Sequence, residues 1–369
     1  MWTRRQFLAG SGLSVLGLAG TRSAWADDDD RGKEALPDGS AAKGMITPEA
    51  DKAIERGLAF LKNNQHNDGS FGTGPYLGNV AVTSLGAMAF MSAGNQPNRG
   101  PHGRIVTDAL RYVLSQEDRD GKNPGFLHNP EGSPHGPMYG HGFATLFLAE
   151  VSGMVHDKTL RKEVNDKLHR AVALIIRSQN RDGGWRYFPN STDADLSVTI
   201  CQIMALRAAR NAGVAVPKAI VDKCVRYVKR CQDKKEGWFK YTIQGGGGFH
   251  QAFARTAAGI VALYSAGIYK GPEIDAGLRY LMQSKPGGGA GVNFRPDMHY
   301  FYGHYYAVQA TWTAGGDYWT DWFPAIRQEL LDRQQANGSW IDQICQHYAT
   351  AMACIILQVP NNYLPILQK

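Results

Sequence analysis

Six times along its 369 residues the chain returns to one short text: a glutamine, a polar turn with glycine, then an aromatic residue. The copies begin at Gln65 (QHNDGSF), Gln116 (QEDRDGKNPGF), Gln179 (QNRDGGW), Gln232 (QDKKEGW), Gln283 (QSKPGGGAGVNF) and Gln335 (QANGSW). The steps between the glutamines are 51, 63, 53, 51 and 52 residues. A period of this length means one supersecondary unit that buries its apolar face only by stacking on its neighbours.

Each copy has the same surroundings. A helical segment precedes the glutamine, as in residues 47–64, where Thr47 suits the cap, Pro48 the first turn, and Ile54, Leu58 and Leu61 form one apolar stripe. The other first helices fall near 104–115, 160–178, 217–231, 272–283 and 321–334. A second helix follows the aromatic, at 80–94, 141–153, 196–213, 253–267, 304–315 and 348–358. First helices are rich in Lys, Arg, Glu and Asp. Second helices carry few charges and many Ala, Gly and Thr, which predicts burial on every side. An open solenoid needs a polar terminal cap, yet the last copy ends in the apolar text ATAMACIILQVP. The expected fold is therefore all-α, one closed (α/α)6 toroid of six helical hairpins over residues 46–369.

These Gln…Gly-Trp/Phe motifs after an outer helix resemble the repeats of squalene and terpene cyclases and of protein prenyltransferase β subunits. The resemblance spans nearly all of residues 46–369. It implies a toroid with a central cavity for an apolar isoprenoid-type or lipid ligand. Asp193-Ala194-Asp195-Leu196-Ser197-Val198 is similar to the Asp-x-Asp-Asp-Thr-Ala acid motif of class II cyclases, and the likeness makes Asp195 the proton donor to an alkene. Leu196 stands where that motif has a further Asp, and Ser197 replaces its Thr. The competing structural role for Asp193 or Asp195 is to cap the helix that follows. No Asp-x-Cys is present for a prenyltransferase zinc, nor the Cys-Gly-Glu-Gln of thioester domains. No metal or other cofactor is expected.

Aligning the second helices places Thr83, His141, Thr199, Thr256, His304 and Thr350 at one position near each start. In a ring these would line one rim of the cavity, with the two histidines on opposite sides. Both histidines sit in the same tripeptide, Tyr139-Gly140-His141 and Tyr302-Gly303-His304. Two roles compete: capping the helices, or supplying imidazoles to one pocket. The candidate catalytic set is Asp195, His141 and His304. The candidate ligand-binding set is Asp193, Tyr139, Tyr302, Tyr305, Thr199, Thr256 and Trp312. Residues 299–306 (HYFYGHYY), with Trp312, Trp319 and Trp322, form an aromatic cluster expected beside the cavity. Aromatics there can stabilise a carbocation, stack a sugar ring or fill a core, and filling a core is the commonest use. Two other readings remain at this stage: a carbohydrate-active lyase-like or hydrolase-like ring, and a scaffold that binds another protein.

The N-terminus reads TRRQFLAGSGLSVLGLAG, and Ala24-Trp25-Ala26 offers a cleavage site. Residues 1–26 are expected to be a twin-arginine export signal, which places the protein in the periplasm or outside the cell. Residues 27–45 are polar, with Pro, Gly and Ser, and read as a disordered linker. Loss of Arg4, Arg5 and Arg22 would lower the formal charge from +7 to +4. Basic residues are not clustered, so nucleic-acid binding is not expected. No apolar stretch in the body suits a membrane span. The five cysteines form no C-x-x-C pair, and Cys224 and Cys231 lie two helical turns apart, roughly 10 Å, too far for a disulfide.

Overall fold

The computed structural model describes residues 40–118, 121–246, 252–287 and 299–368. The leader, the linker up to residue 39, Phe249-His250 and the copy-five turn from 288 to 298 lie outside the described residues. Among the described residues there are twelve α-helices, alternating between two layers. The outer helices are α1 (Pro48–Asn63), α3 (Gly103–Ser115), α5 (Lys158–Arg177), α7 (Lys218–Cys231), α9 (Pro272–Met282) and α11 (Gly316–Arg333). The inner helices are α2 (Val80–Ser92), α4 (Pro137–Val151), α6 (Leu196–Asn211), α8 (Phe253–Ser265), α10 (Tyr300–Ala314) and α12 (Gln346–Gln358).

Local chemistry sets these boundaries. Thr47 Oγ1 accepts from the Ala50 N–H at 3.3 Å, with Pro48 at the first helical position. Asn79 caps α2, Asp157 caps α5 and Asp195 caps α6, each accepting N–H groups two or three residues on. Outer helices bury one stripe, as in Val221, Cys224, Val228 and Cys231 of α7. Inner helices are buried almost all round: every residue of α8, and all but Ala81 of α2. Each inner helix packs on the next, and α12 packs back on α2, so the ring is closed. This is the expected all-α toroid. All five cysteines are buried free thiols.

The repeated text is the clasp between copies. The Gln65 side-chain N–H bonds donate to the carbonyls of Gly69 in its own turn and Ile105 in the next outer helix, at 2.9 and 3.0 Å. Gln179 does the same to Gly183 and Ile220, and Gln232 to Gly237 and Glu273. In copy six the clasp is Gln334, not the expected Gln335. Gln334 donates to Gly338 and, across the chain ends, to Ala53 of α1, whereas Gln335 donates to the Arg333 carbonyl. The turn glycine lies against the same neighbour. A Cβ on Gly183 (φ +100°) would fall 2.3 Å from the Lys223 carbonyl oxygen, and one on Gly338 (φ +88°) 2.6 Å from that of Arg56. Copy two differs: its longer turn pairs β1 (Glu117–Asp118) with β2 (Phe126–Leu127), and an Arg170–Glu117 ion pair joins it to α5.

Four boundaries depart from expectation. Helices α4 and α10 begin four residues before the histidines, because Pro137 and Tyr300 already start the turn. Helix α11 begins at Gly316 and carries Trp319 and Trp322, which puts both tryptophans in the outer layer. Residues 40–45, assigned to the linker, include a 3-10 turn at Ser40–Ala42; Trp319 Nε1 donates to the Ala41 carbonyl and Arg327 to that of Met45.

Candidate functional site

Each outer helix hands over to its inner helix on the same side of the ring, so all six inner helices run in one sense. Their N-termini, with the positive ends of their dipoles, surround one mouth. The first turns of α4, α6 and α10 place Tyr139, Ser197 and Tyr302 there, all half-buried. Tyr302 reaches across from α10 and donates its hydroxyl to the Ser197 carbonyl at 2.9 Å. One turn deeper the ring is filled. Phe143 lies edge-on to Tyr305, with centroids 6.0 Å apart, and the Tyr306 hydroxyl lies 3.5 Å from Cys201 Sγ. Tyr305 and Tyr306 are buried, so they form a floor below Tyr139 and Tyr302.

Asp195 lies at the side of this mouth, 0% exposed. Its Oδ1 accepts from the Val198 N–H at 2.8 Å, which is the helix-cap role. Its Oδ2 accepts from Arg186 Nη1 at 2.9 Å. Burial pushes the carboxyl up to about 6, against the opposing pull of the Val198 N–H and the Arg186 guanidinium. Arg186 is also paired with Asp193 at 3.2 Å and lies over the rings of Tyr187 and Tyr241, 4.4 and 5.3 Å from their centroids. The Tyr187 and Tyr241 hydroxyls bond each other, and Arg186 Nη1 donates to the Tyr241 hydroxyl at 3.1 Å. Burial and the Asp195 charge raise the phenols of Tyr139 and Tyr241, while burial and the Cys201 thiol lead for Tyr302.

The structure brings together Asp193, Asp195, Tyr139 and Tyr302, with Tyr305 beneath them. It places the other candidates elsewhere. His141 is 0% exposed and faces outward: its Nδ1 accepts from the Leu127 N–H at 3.1 Å, and its Nε2 donates to the Ala171 carbonyl of α5 at 3.2 Å. His304 is packed among Phe253, Tyr300 and Trp322. Burial lowers both imidazoles to about 3, so neither is protonated near neutral pH. The two histidines therefore do not share a pocket with Asp195. Thr199 and Thr256 accept from the N–H groups of Trp185 and Phe239, each at 3.1 Å, and so fix the turn aromatics. The reason is depth. The aligned position lies a full turn inside each helix, where it meets the turn loop rather than the rim. Trp312 stands at the far end of α10, where its Nε1 donates to the Leu367 carbonyl.

Arg186, Tyr187 and Tyr241 were not among the candidates. A signal for the tyrosines was present: both stand two residues after the aromatic whose N–H meets the inner-helix threonine, in WRY and FKY; in copy four that aromatic is Phe239, not the expected Trp238. Among the described residues no three His, Cys, Asp or Glu side chains cluster to hold a metal ion, and no helix is long and apolar enough to cross a membrane.

Residues 154–293 match the family model of the prenyltransferase alpha-alpha toroid domain. The type II terpene cyclase MstE from Scytonema, in complex with geranylgeranyl dihydroxybenzoate, superposes with a TM-score of 0.60 at 13% identity, covering 86% of this chain and 98% of that one. A GH76 α-mannanase from Bacteroides thetaiotaomicron gives a TM-score of 0.61 at 10% identity, covering 88% and 98%. A protein from Actinoplanes gives 0.57 at 14% identity, covering 85% and 99%. No curated protein matches the sequence significantly. The fold is an α/α toroid, shared with these neighbours, and residues 154–293 carry the likeness to the prenyltransferase toroid domain.

Proposed function

We propose that this protein binds an isoprenoid-type ligand at the tyrosine-lined mouth of its ring, and that Asp195 is the proton donor to it. One observation carries the reading. The described mouth brings a buried carboxyl, raised to about 6, beside the half-buried Tyr139 and Tyr302. Aromatic faces suit an alkene and the cation that forms from it. The chemistry is an isomerisation: the Asp195 O–H bond breaks, a C–H bond forms at one alkene carbon, and a second carbon later returns a proton. His141 and His304 have no part in it, since both face the outer layer. The filled layer of Phe143, Tyr305 and Tyr306 confines the ligand to the mouth. The terpene cyclase neighbour, whose ligand carries a geranylgeranyl chain, supports the class of ligand.

Incubating the protein with farnesyl phosphate in D2O tests this. Deuterium should enter the alkene with the wild type and not with Asp195→Asn. Absence of both binding and exchange with the wild type overturns the proposal.

A second reading rests on charge. Arg186 is already matched by Asp193 and Asp195, and the rim carries phenol hydroxyls, a surface suited to a neutral sugar ring. The mannanase neighbour supports it. Saturation-transfer NMR with neutral oligosaccharides decides it: transfer lost in Tyr139→Ala favours the sugar, and no transfer rejects it.

The proposal sets the activity outside the cytoplasm, because Arg4-Arg5 and Ala24-Trp25-Ala26 read as a cleaved twin-arginine leader. Sequencing the exported protein should give Asp27 first; an intact Met1 in the exported fraction would contradict it.

A further inference from the structure

The carboxyl assigned as proton donor has both oxygens engaged. Oδ1 is held by the α6 cap and Oδ2 by Arg186. An acid in that position cannot donate until one partner leaves. The cap is backbone and fixed. Arg186 is a side chain with 21% of its surface exposed, whereas Asp195 has none. A ligand entering the mouth therefore meets the guanidinium before it meets the carboxyl.

The surroundings make Arg186 decisive. Asp195 is faced by Cys201 on its own helix, Tyr139 on α4, Tyr227 and Cys231 on α7, Tyr241 on the loop before α8, and Tyr302 on α10. Burial drives all of these phenols and thiols upward, so they are neutral near pH 7. Asp193 lies on the outer side of Arg186, 66% exposed. Arg186 is the cation hydrogen-bonded to Asp195. In the same position the guanidinium also lies against two ring faces and donates to the Tyr241 hydroxyl, so the carboxylate is not its sole support.

We propose that Arg186 is a latch on Asp195. It keeps the carboxyl ionised in the resting ring. An anionic head group, phosphate or carboxylate, on an isoprenoid tail draws the guanidinium away, and the freed carboxyl takes up a proton from solvent. The inference rests on the ligand reading above and narrows it to ligands with a charged head. Arg186 is a positioning residue: it acts on the ligand's chemistry through Asp195.

The test follows Asp195 protonation by difference infrared spectroscopy across pH, with Asp195→Asn as the blank. Removing the cation in Arg186→Met should raise the midpoint by about 1–3 pH units. Arg186→Lys, which keeps the charge, should stay near the wild type and serves if the Met variant fails to fold, paired then with Arg186→Gln. Farnesyl phosphate should raise the wild-type midpoint, uncharged farnesol should not, and Arg186→Met should show no further rise. An unchanged midpoint in Arg186→Met and Arg186→Gln overturns the latch, as does an equal rise with farnesol. Tryptophan fluorescence separates the two proposals. Farnesyl phosphate that quenches without moving the midpoint rejects the latch alone. If neither ligand quenches, the isoprenoid reading fails together with the ligand half of the latch, and the Arg186 variants still decide the ionisation half.

Discussion

At the scale of single residues, one position explains why His141 misled the reading of the sequence. Thr83, Thr199, Thr256 and Thr350 each accept from the N–H of their turn aromatic, and His141 does the same through Nδ1 to the residue after Phe126. Histidine here is a longer threonine. Its imidazole titrates at about 3 in the fold against 6.5 outside it, so the unfolded chain takes the proton first. Stability is then full above pH 6.5 and falls by up to about 5 kcal/mol as the pH drops toward 3. His141→Thr should flatten that acid loss while costing about 1–3 kcal/mol at pH 7, because the Ala171 carbonyl loses its donor. Urea unfolding at pH 4, 5 and 7 reads both. Asp195 has the opposite sign. Its carboxyl is raised from 3.8 to about 6, so its contribution is present below pH 3.8 and is lost, by up to about 3 kcal/mol, as the pH rises to 6. Asp195→Asn should therefore make the wild-type acid loss steeper; an unchanged slope would mean the carboxyl is not raised.

At the scale of elements, the repeat was legible because its parts act locally. Glycine, glutamine and aromatic sit within one turn of each other, and the periodicity of α1 or α7 announces a half-buried outer helix. The clasp partners were not legible, since Ile105, Ile220, Glu273 and Ala53 lie 40 residues or more from their glutamines. Gln334 and Gln335 are adjacent, and only the seat against Ala53 chooses between them. The mouth was half legible for the same reason. Asp195 announced itself as a cap, while Arg186 gained its role from Tyr187 and Tyr241, the latter 55 positions away. The clasp makes a sharp comparison between two glycines. Gly213 (φ +92°) has open space where a Cβ would stand, and Gly338 has the Arg56 backbone. Gly213→Ala should lose about 1–2 kcal/mol, from backbone conformation alone. Gly338→Ala should lose about 1–3 kcal/mol more, from the overlap that opens the seam between copies six and one. Equal losses in chemical denaturation would contradict the clasp.

At the scale of the whole molecule, closure turns six similar hairpins into a ring with two unlike ends. One end gathers six inner-helix N-termini, half-buried tyrosines and the Arg186–Asp195 pair. The other end is occupied by the C-terminal segment, where the Ile366 N–H is accepted by buried Glu150 and the Leu367 carbonyl receives Trp312. That asymmetry places the ligand. A photoreactive diazirine analogue of farnesyl phosphate, irradiated on the full-length protein and mapped by mass spectrometry, tests it most directly. The label should fall on residues 137–139, 186–197, 241 and 302. Label confined to Tyr269, Trp312 or Tyr363 at the opposite end, or scattered over the outer helices, would contradict a site at the mouth.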